Sequence, residues 1–457
     1  MKQAHFLSFN KRIFTAILLY CCSMITWAQD VTQEPRVAAS ELTATASITL
    51  PQHDELKHLG VASCAASMCH GSTIPRSGSD ILQNEYITWS REDAHAQAYK
   101  TLLTAQSQKI ADKLGLPNAH EAAVCLDCHT DNVKKSHQGE RFQISDGIGC
   151  EACHGGAEHY ISSHTDSNIP RAENLANGLL AIDRPQVRAQ VCLSCHLGNK
   201  DKFASHDIMG AGHPRLAFEL DTFGILQPLH YVVDRDYKTR KWFGNSYMTW
   251  LYGQFTASRE TLLLIEDKIT SNKALFPEIS LFDCHSCHHL MSDLAWTKTK
   301  GQGFKPGTVR LNDGNLKMLM AIASITPLKN TLHQHISDVT SALNDKAQLK
   351  VSSEQVLNDI QQLQLFFENQ VVPAQKKQAK SVLIQVLTMG SQSAFSDYIA
   401  AEQTVMAIDL LLVTIEQRAL FEDEIKQLFE LVNNENAYQA PKFTEKMIEM
   451  KGKVNLL

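Results

Sequence analysis

The sequence predicts a mainly α chain with much irregular structure, in which a cysteine- and histidine-rich region precedes a helical C-terminal one. Three observations predict it. Of 12 cysteines, the ten beyond residue 28 form five pairs, each followed directly by histidine, and all lie before residue 290. Beyond about Gly307 cysteine disappears and apolar residues recur every three or four positions, the helical period. Composition is ordinary, 44% apolar and 20% charged over 457 residues, which suits two or three domains of roughly 150 residues and excludes disordered, collagen-like and membrane classes.

Residues 1–28 read as a secretory signal peptide: Lys2, Lys11 and Arg12 form a basic start, Ile13 to Trp27 an apolar stretch, and Ala28 a small residue at the cleavage point. The stretch is shorter than the ~20 residues a spanning helix needs, and no later segment is longer and as apolar. A periplasmic or otherwise exported protein with no stable membrane span in the mature chain is therefore expected. Residues 29–58 mix Thr, Ala, Ser and charges without a period and read as a linker. Tyr86 to Leu103 predicts a helix opening near Ser90 and carrying His95, and Asn245 through Ile265 predicts another. In the C-terminal region, 307–457, a Ser352 to Gln355 capping box precedes Val356, Ile360, Leu363 and Phe367, and Pro373 ends the run. Gly390 is a candidate stop for the next helix, and Val405, Ile408, Leu412 and Ile415 mark the one after; His333 and His335 are expected to face solvent.

The chemistry lies in the pairs. Cys125–Cys128–His129, Cys150–Cys153–His154, Cys192–Cys195–His196 and Cys284–Cys287–His288 share the spacing CxxCH, and Cys64–Cys69–His70 carries two extra spacer residues. Two thiols so spaced can each form a thioether to one porphyrin, with the following His carried beneath the iron, so the motifs predict five covalently bound c-type haems. A zinc ribbon does not require His after every second Cys, and disulfides do not explain the histidines. Chance matches to CxxCH should number on the order of 0.01 at this composition, yet four appear. Between His70 and His289 there are 15 histidines, of which five follow the second Cys of a pair, leaving ten for at most five open positions and favouring bis-His coordination. Gly155 and Gly156 are expected to let backbone approach a ring, and Trp242 and Trp250 to pack against haem faces.

Removing residues 1–28 leaves 40 basic against 49 acidic residues, a net charge of −9. Nucleic acid is disfavoured as a partner, and a redox protein with a basic docking patch is favoured.

Several stretches resemble the cytochrome c-554 family, multihaem cytochromes c related to the tetrahaem electron acceptor of hydroxylamine oxidoreductase. The resemblance covers roughly residues 60–290. It is carried by Trp89-Ser90 with Ala94-His95-Ala96, by Gly149 through Gly155, by Gly212 through Leu216 with Phe218-Glu219, and by Cys287 through Leu290. The four-residue spacer and the fifth site bring the chain nearer to pentahaem relatives.

The resemblance implies a multihaem cytochrome c domain, here 59–300, in which His95 crosses to another haem, expected at His154. His164 crosses back, so that haems one and three stack. His213 and His206 are expected on haems four and five in either order. The second haem of the family can lack a distal ligand, which would leave His129 open unless His137 closes it. Electron transfer between redox partners is the expected function. The rival is reduction or oxidation of a small nitrogen or sulfur compound at one five-coordinate haem, a small inorganic ligand with Arg215, His230 or His137 beside it.

Overall fold

The computed structural model describes residues 47–77, 81–241, 244–270, 278–284, 287–288, 310–368 and 372–456. The predicted signal peptide, Trp242 and His289 lie outside them. The chain is mainly α; the described residues are 63% helical, and among them only isolated bridges pair extended backbone, His58 with Gln138 and Phe282 with Leu311.

The N-terminal half is built of short helices joined by turns. In order they are α1 (Glu85–Glu92), α2 (Ala98–Leu102), α3 (Ala105–Lys113), α4 (Ala123–His129), α5 (Glu151–His154), α6 (Tyr160–Ser163), α7 (Arg171–Ala176), α8 (Pro185–His196), α9 (His206–Ala211), α10 (Leu220–Leu226) and α11 (Arg235–Arg240). The predicted helix over Tyr86–Leu103 is divided. Asp93 is extended, and its carboxylate accepts from the His95 backbone N–H, so α1 ends there and a 3₁₀ turn, Ala94–Gln97, intervenes before α2.

The second half forms a helical bundle of α12 (Ser246–Thr270), α13 (Gly314–Ala323), α14 (Lys329–Ser341), α15 (Lys346–Glu368), α16 (Val372–Ser391), α17 (Tyr398–Thr414), α18 (Glu422–Leu431) and α19 (Ala440–Val454). One apolar core runs from Tyr247 to Val454. Val356, Ile360, Leu363 and Phe367 are buried in it, as the helical spacing predicts. The start of α15 differs: Asp345 accepts from the Ala347 and Gln348 N–H groups, and Ser352 and Ser353 are buried within the helix rather than capping it. Pro373 sits in the first turn of α16, where its missing N–H costs nothing. α16 ends at Ser391, one residue past Gly390, where a Cβ would strike Met447 of α19. Trp250 is fully buried beside Tyr247 in the bundle, not on the outside where a cofactor face would be covered.

The two halves meet where α12 lies along α8, around Ala189, Leu193, Leu220 and Ala257. Among the described residues before 242 few large apolar side chains are buried, and Tyr160 is the one aromatic residue buried there besides His58. Residues 51–58, read from sequence as the end of a linker, are packed into this region. His58 N–H donates to the His137 carbonyl, and Glu151, a spacer residue of the third motif, accepts from the N–H groups of Leu59, Gly60 and Ala157 at 2.7, 2.7 and 2.8 Å.

Candidate metal centres

The second and fourth motifs lie within α4 and α8, and the third opens at Cys150, the N-cap of α5, and ends with it at His154. In the third and fifth motifs the His N–H donates to the carbonyl of the first Cys, His154 to Cys150 at 2.9 Å and His288 to Cys284 at 2.7 Å. The longer first motif makes the same bond: His70 N–H donates to the Cys64 carbonyl at 3.1 Å, and the additional residues bulge outward with Met68 exposed. Gly71 permits that tight loop, since a Cβ would strike the Ala65 carbonyl. None of the ten cysteines is in a disulfide.

Every motif histidine faces a second histidine. Ring centroids are 6.2 Å apart for His70 and His164, 6.3 Å for His129 and His213, 6.2 Å for His154 and His230, 6.0 Å for His196 and His95, and 6.2 Å for His288 and His206. Imidazole nitrogens bind a metal at about 2 Å, so two rings ligating one metal from opposite sides stand about 6 Å apart between centroids. The five pairs fit that requirement. Among the described residues no three His, Cys, Asp or Glu side chains converge as a tetrahedral zinc site would need.

The outer nitrogens are also engaged. Nδ1 of His70 meets Glu85 at 3.0 Å, and that of His95 meets Asp93 at 2.8 Å. The same atom of His129, His164 and His213 meets the carbonyl of Ala98, Tyr160 and Pro214 respectively, at 3.1, 2.9 and 2.7 Å. An acceptor at Nδ1 holds the proton there and leaves Nε2 as the metal-binding atom. Burial lowers the pKa of His129, His196 and His230, and takes His154 down to about 3, favouring the neutral, ligating form. Carboxylate bonds raise His70 and His95.

These pairings differ from the expectations for His95, His213 and His230. His95 faces His196, not His154, because Asp93 both breaks the helix and turns the imidazole. His154 is instead faced by His230, which sequence reasoning considered only as a catalytic candidate. His213 faces His129, the position the resemblance would leave without a partner; Gly212, at φ 121°, ends α9 against Gln106 and Ile110 of α3 and swings His213 toward α4. His206, at the other end of α9, faces the fifth motif. His137 is directed to Glu55, 3.4 Å away, and Arg215 is held by Glu402 at 2.7 Å. Gly155, at φ 84°, approaches the Gly178 carbonyl rather than an open face. The aspartate two residues before His95 was the available signal for its orientation; His230 had none beyond the surplus of histidines.

The attachment points adjoin across motifs. Cys64 lies beside Cys150, and Cys128 beside Cys195, whose thiol also meets Lys202 Nζ at 3.1 Å. Exposed apolar residues flank the sites, among them Met68, Val124 beside Cys125, and Leu229 beside His230, surfaces that a macrocycle would cover.

Residues 63–155, which hold the first three motifs, match the family model described as cytochrome c554 and c-prime. The match supports a c-type cytochrome with covalently attached haem, related to the c554 type. No curated protein and no solved structure matches the chain. Among the described residues no helix is long and apolar enough to cross a membrane.

Proposed function

We propose that this chain is an exported five-haem cytochrome that passes electrons between redox partners, with each iron held between two imidazoles. The observation that carries the reading is the set of five facing histidine pairs, one for every motif, at 6.0–6.3 Å. Bound haem supplies one-electron exchange at a potential set by axial ligands, nearby charge and burial. The ten cysteines tether it, and His70, His129, His154, His196 and His288 approach from the motif side. His164, His213, His230, His95 and His206 close the opposite side. Asp93, Glu85 and the carbonyls of Ala98, Tyr160 and Pro214 fix ring orientation, so little rearrangement accompanies a change of charge. The adjoining cysteines of motifs one and three, and of two and four, support relay between neighbouring sites. A net charge of −9 after signal removal favours a partner with a basic docking patch.

Mass and spectra test the proposal. Five covalent haems, wholly low-spin in the ferric protein and unchanged by cyanide, are expected. A high-spin haem that binds cyanide or nitric oxide and turns over nitrite or hydroxylamine would overturn it in favour of a reductase or oxidase.

A further inference from the structure

Arg215 lies where the helical bundle meets the haem-binding half. Its Nη2 donates to Glu402 of α17 at 2.7 Å, its guanidinium carbon stands 5.1 Å over the Tyr398 ring, and Nε lies 3.6 Å from Glu435, beyond hydrogen-bond reach. Nη1 and Nε are both buried with no hydrogen-bond acceptor. A buried guanidinium is rarely left so, because desolvated donors without partners are costly and its donors match a carboxylate well. Two haem sites adjoin it. The Cys284 thiol of the fifth motif is within its field, together with those of Glu435 and Asp283, and His213, which faces the second motif, is two residues away.

We infer that Arg215 is a carboxylate receptor: its Nη1 donates to a propionate of the haem at the fifth or second motif, while Glu402 and Tyr398 hold the guanidinium in place. The inference rests on the five-haem reading. It makes Arg215 a positioning and potential-setting residue rather than a catalytic one, and it gives the bundle a part in tuning that haem. A cation beside a haem favours the reduced, less positive state, so its loss lowers the potential.

The test uses the full-length holoprotein with Arg215→Gln and Arg215→Lys, read by spectroelectrochemistry and by the resonance Raman propionate-bending band. In Arg215→Gln, one haem is expected to shift its oxidised-to-reduced ratio about tenfold at fixed potential, a fall of about 59 mV for a one-electron couple. Its propionate band is expected to move while the other four haems hold. In Arg215→Lys, which keeps the charge and loses the planar fork, the band is expected to move with a smaller shift in potential. Adding His206→Ala or His213→Ala marks the fifth or the second haem by a high-spin signal and shows which carries the carboxylate. An unmoved band in both variants would overturn the inference, even if a potential falls, because charge alone would then account for it. Failure of the five-haem reading is separate and would appear in the wild-type protein as a haem count below five.

Discussion

His58 belongs to no motif, yet it is fully buried, with Nδ1 2.7 Å from Asp131 and Nε2 3.2 Å from the Pro51 carbonyl. Burial opposes its charge, but Asp131 and Asp54 outweigh that and raise its pKa to about 10. A charged imidazole thus ties the N-terminal segment to the stretch after His129. His58→Ala would leave Asp131 buried and unpaired, and a loss of about 3–5 kcal/mol is expected in denaturant unfolding. Because the folded pKa is raised, the pair's stabilisation is full below about 6.5 and is lost as pH rises toward 10. Wild-type stability should therefore fall across that window more steeply than that of His58→Gln, read as melting temperature against pH. On the five-haem proposal, His230→Ala should convert one haem of five to high spin by EPR, where a surface histidine would change nothing. The motif cysteines and histidines were legible in the sequence because covalent attachment demands fixed local spacing. Their partners were not, since His230 and His213 reach their sites through tertiary turns that no local pattern encodes.

At the scale of elements, periodicity located the bundle helices because burial of one face leaves a repeating trace, and Val356 through Phe367 follow it. Ends were less legible. A capping pattern at Ser352 lost to Asp345, seven residues earlier, whose carboxylate binds two free N–H groups. Glycine was equally ambiguous. Gly390 serves close packing of α16 on α19 against Met447, so Gly390→Val should cost about 1–3 kcal/mol by overpacking. Met447→Ala should recover part of that loss in the double variant, which a helix-propensity effect alone would not show.

Across the whole molecule, apolar burial is concentrated in the second half. The first half depends on something other than its own side chains to fill the space between its short helices. Protein made with the ten motif cysteines replaced by serine should keep the bundle's circular dichroism while residues 47–241 become protease-sensitive; full protection would show that the haem region folds by itself. The facing pairs join residues roughly 75 to 100 apart in sequence, and each span starts before the preceding one has closed: 70 to 164, 95 to 196, 129 to 213, 154 to 230, 206 to 288. Filled with iron, these spans form a series of overlapping clasps. Each limits the unfolded chain as a cross-link of that length does, a restriction on the order of 4–5 kcal/mol in the chain-entropy account. The overlap also orders assembly as the chain emerges. The first site cannot close until residue 164 has emerged, nor the third until residue 230, so early sites wait on later chain, and truncation between residues 197 and 212 would leave both the second and the third without a facing histidine.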